Sequence, residues 1–394
     1  MDARSDDPPK VARVLAALGN ARLNGQERGN IEVFRATKSA GVDALFVTHD
    51  EWGHYYLQPA LDGLGLRWTT LDYARHFTKR LSAAEWAANL RRLLAAAWAF
   101  RGIACRYRPT HIHVANPHYF LSILPALLTM RTPVVYRLGD EPTQHHVLYR
   151  VLWRRFIVPR VSRFVCVSEY VRRKAIESGV PPSKTTVIYS HPAERPPVSE
   201  AKPPTTSSLR SVVFVGQVSP HKGVDRLVEA AINLCRDTED VQVLIAGRIA
   251  RHDAFVLRLM QQVGKAGLAE RIRFLGYVDD VPGLLARADV HVCPSVWEEP
   301  LSNTVVEAKL AGAPSVIFDS GGLPELIAHG RDGWICPDST AASLEATLRE
   351  VLALPEADLD AAKAAARDSL ERLGITESAF ANAWADVYRQ TAKA

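Results

Sequence analysis

The stretch of sequence that decides the fold is VHVCPSVWEEPLSNTVVEAKLAGAPSVIFDSGG, residues 290–322. Two short apolar runs within it, Val290–Cys293 and Ser315–Phe318, are rich in the β-branched residues that favour buried strands. The segment between them predicts a helix, because Ser302 or Asn303 can accept hydrogen bonds from the first free amides of a helix. A strand, a helix and a second strand in this order indicate a parallel sheet covered by helices.

The same alternation of short apolar runs and helical patterns extends over nearly all of the 394 residues. It restarts after a stretch rich in proline, serine and threonine, residues 191–208, and therefore predicts two doubly wound α/β domains. In such folds ligands bind at the carboxyl ends of the strands, so two domains are expected to leave a ligand cleft between those ends. The other strand candidates are 11–18, 44–48, 112–114, 134–136, 164–167, 186–188, 211–215, 241–246 and 272–274, and helix candidates include 31–40, 83–101 and 169–178.

These patterns divide the chain into an N-terminal domain of residues 1–195, a linker of residues 196–208 and a C-terminal domain of residues 209–375. Residues 376–394 form a last helix, which we expect to pack back on the N-terminal domain. The apolar run 11–18 is too short, and too acidic in its flank, for a signal peptide. No apolar stretch approaches the roughly 20 residues that a membrane span needs.

Charge is distributed unevenly along the chain. Residues 1–200 carry 28 Lys and Arg against 17 Asp and Glu, net +11, whereas residues 201–394 carry 20 against 26, net −6. A basic first half indicates an anionic partner, and a solvated basic surface is the alternative. The arginines and aromatic residues do not form a recognisable nucleic-acid-binding module, so nucleic acid is not expected. Five scattered cysteines without a C-x-x-C pair indicate a reducing, cytoplasmic setting and core packing rather than a metal site.

The segment before the predicted helix has the features of an anion site. The backbone amides of Leu301, Ser302, Asn303 and Thr304 and the positive end of the helix dipole suit a diphosphate. Glu299 and Glu307 are eight residues apart, which corresponds to about 12 Å along a helix, so they can bracket an elongated ligand but cannot hold one atom together. The alternative is that the two glutamates lie on the solvated face of a helix and bind no ligand.

A second segment, FVGQVSPHKGVD, residues 214–225, follows the first strand of the second domain. Gly216 allows the backbone to approach a ligand closely, and Lys222 supplies a point charge for phosphate beside the start of a helix. Gln217 lies between them. The alternative for Lys222 is an ordinary surface lysine next to a turn.

These two segments resemble the retaining family-4 glycosyltransferases of the GT-B fold, most strongly over residues 212–337. The resemblance implies two Rossmann-like domains facing each other across a cleft, the first binding an acceptor and the second a nucleotide sugar. It also implies that Glu299 contacts the donor sugar, that Glu307 contacts the ribose and that Lys222 neutralises the leaving diphosphate. Gln217 stands where the family has an arginine, which removes a bidentate cationic donor.

Two further loops fit the same resemblance. Residues 274–278 resemble the segment whose backbone holds the base, which brings Tyr277 into the donor site, and residues 320–325 resemble the glycine turn beside the sugar. In the first domain, Gly25 belongs to a loop that touches the donor and the acceptor in the family. Gly276 and Gly321 are alternatively plain turn glycines. No cofactor and no metal are expected, because Lys222 and the helix amides can replace a divalent ion, and the D-x-D of Asp358 and Asp360 lies in a helical tail.

The group that serves the acceptor hydroxyl is less clearly marked. Much of the family has a histidine near the end of the strand that begins at Val134, and this chain has none at Gly139 or Asp140. Asp140 is our candidate for hydrogen-bonding the acceptor hydroxyl, with a turn carboxylate as the alternative. The rival candidates are His113, His118, His145 and His146.

The sequence thus predicts a cytoplasmic hexosyltransferase that moves a sugar from a nucleotide-diphosphate donor to a saccharide acceptor. We expect a lipid-linked acceptor in cell-surface polysaccharide assembly, with the basic N-terminal domain at an anionic membrane. Trp86, Trp98 and Trp153 lie among the arginines as interfacial anchors, unless they face the core. A nucleotide-sugar epimerase on the same fold and a non-catalytic nucleotide-sugar or membrane-surface binding protein are the alternatives.

Overall fold

The computed structural model describes residues 11–18, 25–49, 57–74, 82–142, 147–192, 209–249 and 253–392. The chain divides into two compact units. Unit 1 comprises Met1–His191 together with Thr376–Ala394, and unit 2 comprises Pro192–Ile375. The predicted linker of residues 196–208 lies outside the described residues.

Unit 1 is built on a seven-stranded parallel sheet. Its strands are β1 (Ala12–Ala17), β2 (Val42–His49), β3 (Arg67–Leu71), β4 (His111–Val114), β5 (Val134–Leu138), β6 (Arg163–Cys166) and β7 (Thr185–Val187), in the order β3-β2-β1-β4-β5-β6-β7. Its helices are α1 (Gly25–Thr37), α2 (Leu57–Gly63), α3 (Ala83–Tyr107), α4 (Pro117–Leu128), α5 (Val147–Leu152), α6 (Val158–Arg160) and α7 (Glu169–Glu177), with a π-helical turn at Trp153–Ile157. The reversal of strand order at β1 is the switch point of a doubly wound sheet.

Unit 2 repeats this architecture with six parallel strands. They are β8 (Arg210–Val215), β9 (Val241–Ala246), β10 (Ile272–Gly276), β11 (Val290–Cys293), β12 (Ser315–Phe318) and β13 (Gly333–Cys336), in the order β10-β9-β8-β11-β12-β13. Its helices are α8 (Val224–Asp237), α9 (Ala254–Lys265), α10 (Val281–Ala286), α11 (Asn303–Ala311), α12 (Ala341–Leu352) and α13 (Glu356–Arg372). The predicted strand, helix and strand of residues 290–322 are confirmed as β11, α11 and β12, and two Rossmann-like α/β units are confirmed.

The last helix, α14 (Glu377–Thr391), belongs to unit 1, where it packs on α1. Its inward face carries Phe380, Trp384 and Tyr388, each at most 1% exposed, in the same core as Phe34 of α1. Residues 376–394 thus contribute large aromatic side chains to the core of unit 1.

Two strands were not predicted. β3 reads RWTTL and lies at the sheet edge with only Leu71 fully buried, so it lacks both an apolar run and an alternating pattern. β13 is four residues long and begins with Gly333, a residue that weakens strand propensity. The helix candidate 31–40 begins six residues earlier in the structure, at Gly25.

The three tryptophans of the basic half divide between core and surface. Trp153 is fully buried, with its indole N–H donating to Ser178 Oγ at 2.9 Å, so its expected role as an interfacial anchor is wrong. Trp86 and Trp98 of α3 are 43% and 80% exposed. Within the described residues, no helix is long and apolar enough to span a membrane.

Candidate active site

The structure brings together two side chains that the sequence assigns to the donor site. Lys222 ends a 3₁₀ turn, Pro220–Lys222, that follows β8, and Glu299 lies in the loop between β11 and α11. Lys222 Nζ donates to Glu299 Oε1 in an ion pair. The lysine side chain keeps 30% of its surface exposed, whereas that of Glu299 keeps 8%. The ammonium group therefore lies where an anionic ligand can reach it.

Ser295 supports this pair and was missed by the sequence analysis. Its hydroxyl is buried and donates to Glu299 Oε1 at 2.7 Å, with the carbonyl oxygen of His221 at 3.1 Å. The carboxylate thus has both a charged and a neutral donor on one oxygen, which fixes its orientation. The position of Ser295 two residues after the carboxyl end of β11 was the only available signal.

Backbone contacts hold the lysine turn against the glutamate loop. The carbonyl oxygen of His221 accepts the amides of Val296 and Trp297 at 3.1 and 3.2 Å. Gly223 has φ of 67°, and a Cβ atom there would lie 1.8 Å from the carbonyl oxygen of Pro294. Only glycine fits at this position, because both the left-handed backbone and the lack of space exclude a side chain.

The glycine turn of residues 320–322 packs on the backbone of Glu299. The amide of Gly322 donates to the carbonyl oxygen of Glu299 at 2.7 Å, and Ser320 Oγ donates to the carbonyl oxygen of Trp297. Gly321 has φ of 59°, and a Cβ atom there would lie 2.2 Å from the same Glu299 oxygen. A side chain at residue 321 would therefore displace the catalytic candidate.

Helix α11 begins where the sequence predicts an anion site. Ser302 is the N-cap, and its Oγ accepts the amide of Val305 at 3.4 Å, so Asn303 is the first helical residue instead of the cap. Thr304 Oγ1 lies 3.0 Å from Ser302 Oγ. Glu307 lies on α11, but Glu299 precedes the helix, so the spacing of about 12 Å, which assumed a helix throughout, does not apply to this pair.

Cys293, at the end of β11, lies beneath this site. Burial raises the pKa of its thiol to about 11, and the neighbouring charge of Glu299 acts in the same direction. Its Sγ is 3.6 Å from Ser302 Oγ. The side chain is therefore a packed, protonated thiol and not a nucleophile.

The remaining donor-site candidates follow other strands of the same sheet. Gly216 and Gln217 come directly after β8, and Tyr277 comes directly after β10 with 71% of its surface exposed. The side chain of Gln217 is exposed and carries no charge. Since the strands are parallel, these residues share one edge of the sheet with Lys222 and Glu299.

In unit 1, Asp140 follows β5 and lines a cavity of about 220 Å³. Gln26, Asn116 and Tyr149 line the same cavity, which therefore combines amide, carboxylate and phenol groups. Asp140 Oδ1 accepts the amide of Glu141 at 2.8 Å. Gly25 is the exposed first residue of α1, one position before Gln26.

The histidine rivals of Asp140 differ in their surroundings. His113 is fully buried, with Nδ1 2.9 Å from the Tyr388 hydroxyl and Nε2 3.0 Å from Asn30 Oδ1. Burial, assisted by the charge of Arg137, lowers the pKa of His113 to about 3, so it is a neutral core residue. His118 Nε2 lies 2.7 Å from the carbonyl oxygen of Ala74. His145 and His146 lie outside the described residues.

Arg137 of β5 is a buried cation that the sequence analysis missed. It is 4% exposed, and burial lowers the pKa of its guanidinium to about 10, although Glu27 opposes the shift. Its Nη2 donates to Ser190 Oγ at 2.9 Å, and the guanidinium occupies the space where a side chain at Gly29 would lie. The only sign of this burial in the sequence is that Arg137 directly follows apolar residues of a predicted strand.

The D-x-D motif lies in the first turns of α13, where Asp360 Oδ1 is 3.8 Å from Lys363 Nζ. Within the described part of the chain, no three His, Cys, Asp or Glu side chains cluster closely enough to hold a metal ion.

Two doubly wound units, with the Lys222–Glu299 pair at the carboxyl edge of the second sheet, define the class of GT-B glycosyltransferases. Comparison with known families agrees: residues 24–191 match "Glycosyl transferase 4-like domain", and residues 199–368 match "Glycosyl transferases group 1". The two matches together span most of the chain. The chain belongs to the family-4 glycosyltransferases.

Curated relatives match over part of their length. Spore coat protein SA of Bacillus subtilis is 30% identical over 199 residues, which are 46% of this chain and 52% of that protein. The lipopolysaccharide core biosynthesis mannosyltransferase LpsB of Rhizobium meliloti is 29% identical over 217 residues, 53% of this chain and 58% of that protein. The chain thus spans about half the length of the curated relatives it matches.

Solved structures match over nearly the whole fold. A glycosyltransferase of Rickettsia africae superposes with a TM-score of 0.81 at 17% identity, covering 96% of this chain and 98% of that one. Anabaena HepE, crystallised with UDP and glucose, superposes with a TM-score of 0.77 at 18% identity, covering 96% and 100%. At these identities the likeness establishes the fold alone.

Proposed function

We propose that this protein is a glycosyltransferase that moves a sugar from a nucleotide-diphosphate donor to a saccharide acceptor. The observation that carries the proposal is the Lys222–Glu299 ion pair beside the N-terminus of α11. A partly exposed lysine side chain next to the N-terminal amides of a helix suits a diphosphate, and an oriented carboxylate suits the hydroxyls of a sugar. Family membership supports the same activity.

The proposed reaction retains the anomeric configuration. The acceptor hydroxyl oxygen bonds to the anomeric carbon on the face from which the diphosphate departs, and the hydroxyl proton passes to the departing diphosphate. The protein then has to neutralise the charge that develops on the leaving group and to position both partners. Lys222 and the amides of Leu301, Ser302, Asn303 and Thr304 supply that charge without a metal ion. Glu307, on the same helix, is proposed to bind the ribose.

We assign the acceptor to unit 1. Asp140 lines a cavity with several hydrogen-bonding groups, and a carboxylate there can accept the proton of an acceptor hydroxyl in a hydrogen bond. The cavity volume of about 220 Å³ suits one sugar ring better than an extended chain. Gly25, at the start of α1, is proposed to approach the donor through its backbone.

We further propose that the acceptor is lipid-linked and that the enzyme works at the cytoplasmic face of a membrane in cell-surface polysaccharide assembly. Relatives named for lipopolysaccharide core biosynthesis and a phosphatidyl-myo-inositol mannosyltransferase of Mycobacterium leprae, 34% identical over 146 residues, support this class of acceptor. The net charge of +11 in residues 1–200 supports an anionic surface as partner.

The experiment that tests the activity is a thermal-shift panel of UDP-, GDP-, ADP- and dTDP-sugars, followed by transfer assays with the donor that binds. A ligand at 100 times its dissociation constant stabilises the folded protein by about 2.7 kcal/mol, which a melting curve resolves. Transfer or slow hydrolysis of the bound donor supports the proposal. Binding with neither reaction identifies a non-catalytic binder, and conversion of the sugar without any acceptor identifies an epimerase.

A further inference from the structure

Helix α3 carries a stripe of large apolar side chains on its outer surface. Leu90, Leu94 and Trp98 are 53%, 56% and 80% exposed, and Trp86 is 43% exposed. Successive members are four residues apart, so the four side chains form one row along the helix. Exposed apolar residues of this size in one row mark a contact surface, whereas single ones do not.

The charges of α3 complement this stripe. The helix carries four arginines and a single acidic residue, Glu85, whose carboxylate accepts the backbone amide and the hydroxyl of the N-cap Ser82 at 2.7 Å each. Arg91 and Arg101 are exposed: at 100° per residue, Arg91 lies beside the apolar row, and Arg101 lies in line with it, just beyond Trp98. The outer face of α3 therefore combines an apolar row with one cation beside it and another at its C-terminal end.

Helix α5 presents a second surface of the same composition. Val147, Leu148 and Val151 are 65%, 67% and 53% exposed. Val147 and Val151 line an open groove of about 440 Å³ together with Arg150 and Arg155. The helix contains no acidic residue.

The topology of unit 1 places both surfaces on the same side of the sheet. The connections from β3 to β4, from β4 to β5 and from β5 to β6 all run in one direction across the strand order. Because such connections are right-handed, α3, α4 and α5 cover the same face of the sheet. Helix α4 packs on α3 and lies between the two surfaces in chain order.

We propose that the outer faces of α3 and α5 form a docking surface for an anionic lipid bilayer. Tryptophan and leucine enter the boundary between headgroups and acyl chains, and the flanking arginines bind lipid phosphates. A second copy of this chain fits the surface poorly, because a two-fold interface pairs the same patch with itself and would set arginines against arginines. The inference deepens the proposed membrane location of the acceptor and rests on that part of the proposed function.

The test compares variants of the full-length protein in co-sedimentation with vesicles of phosphatidylcholine, with and without phosphatidylglycerol. Leu94→Gln/Trp98→Gln removes the C-terminal half of the stripe, and Arg91→Gln/Arg101→Gln removes the neighbouring charge without changing the apolar side chains. The matched control is Leu257→Gln/Met260→Gln, because those side chains are 51% and 43% exposed on α9 of unit 2. All six side chains are exposed, so each variant is expected to fold.

We expect the wild-type protein to bind anionic vesicles at least about tenfold better than neutral ones, with binding that weakens as salt is added. Each α3 variant should lower the partition coefficient at least about tenfold, and the α9 control should leave it unchanged. Equal loss in the α9 control, or wild-type binding in both α3 variants, would overturn the proposal. A dimer that the α3 substitutions dissociate, with vesicle binding retained, would assign the surface to a second copy instead.

Nucleotide-sugar binding is measured on the same variants by thermal shift. Intact vesicle binding without any donor binding would leave the docking surface standing and remove the proposed activity. Donor binding without vesicle binding would remove the docking surface and leave the proposed activity standing. The experiment therefore distinguishes failure of the docking surface from failure of the proposed activity.

Discussion

Glu299 and Lys222 share one hydrogen bond in the described structure, so each controls the position of the other. Ser295 adds a second hydrogen bond to the same carboxylate oxygen at 2.7 Å. The three side chains come from two loops that the sequence separates by 77 residues, counted from Lys222 to Glu299. Their chemistry therefore depends on the packing of those loops as much as on residue type.

We expect Glu299→Gln and Lys222→Ala each to lower sugar transfer at least about tenfold, which corresponds to about 1.4 kcal/mol of transition-state stabilisation. The glutamine cannot balance the ammonium charge, and the alanine removes the cation that is proposed to bind the diphosphate. Initial rates with saturating donor, alongside melting curves to verify folding, measure the effect. Glu298→Gln is the control, since it makes the same chemical change one residue away on an exposed side chain. Wild-type rates in both site variants would remove this pair from the mechanism.

Gln217→Arg should tighten the binding of nucleoside diphosphates several-fold. The substitution restores a planar guanidinium at the carboxyl end of β8, where the family has arginine, and this group binds phosphate bidentately. Isothermal titration with UDP and GDP measures the change. Gln261→Arg adds the same charge on an exposed position of α9 and controls for net charge. Unchanged or weaker affinity would mean that residue 217 does not face the diphosphate.

At the scale of the elements, α11 is anchored by a buried ion pair at its end opposite the proposed anion site. Lys309 is fully buried, with Nζ 3.1 Å from Asp332 Oδ1 and 2.9 Å from Ser369 Oγ. Burial lowers the pKa of Lys309, and Asp332 opposes that shift. The second carboxylate oxygen of Asp332 accepts from Arg372 at 2.8 Å. The helix that carries Glu307 is thereby tied to α13.

Lys309→Met should lower the free energy of unfolding of unit 2 by about 3 kcal/mol, because it leaves the buried Asp332 with one cation instead of two. Denaturant unfolding followed by circular dichroism measures this value. Lys363→Met, which breaks a more exposed pair with Asp289 at 3.3 Å, should change it by no more than about 1 kcal/mol. Equal values for the two variants would show that the buried pair contributes nothing beyond a surface pair.

The sequence predicted most strands and helices because their periods and caps are local features. It missed β3 and β13, whose placement depends on hydrogen bonds to neighbouring strands and not on their own composition. Motif spacing identified Lys222 and Glu299 as candidates, but not Ser295 or Arg137, since neither residue type signals a role before the fold surrounds it. Trp98 and Trp153 illustrate the same limit: the arginines around them look alike in sequence, and only packing separates the 80% exposed ring from the buried one.

At the scale of the whole molecule, three buried histidines make stability depend on pH. Burial lowers the pKa of His111 to about 4, and those of His113 and His291 to about 3, from the usual 6.5. Between these values the unfolded chain binds protons that the folded chain does not. The free energy of unfolding should therefore fall as pH falls from about 6.5 towards 4, by about 1.4 kcal/mol per pH unit for each histidine.

His291→Gln tests this dependence in unit 2, because the amide keeps a polar group near Ser315 Oγ, which lies 3.0 Å from Nδ1. Denaturant unfolding of the wild type and the variant at pH 7 and pH 5 gives, for each protein, the change in the free energy of unfolding with pH. We expect the variant to lose less stability on acidification, by the equivalent of about one proton. Parallel slopes would mean that His291 is already protonated in the folded protein or stays neutral in the unfolded one.

The assignment of α14 to unit 1 also determines the order in which the two units can complete folding during translation. Unit 1 starts with β1 but lacks Phe380, Trp384 and Tyr388 of its core until the 184 residues of Pro192–Ile375 have left the ribosome. At roughly 5–20 residues per second, translation of that stretch lasts on the order of ten seconds or more. Unit 2 is continuous in sequence and can complete its fold within that interval. Unit 2 therefore emerges second but can complete its fold first. Nascent chains truncated before residue 377 should recruit chaperones, because α1 is then not covered by α14.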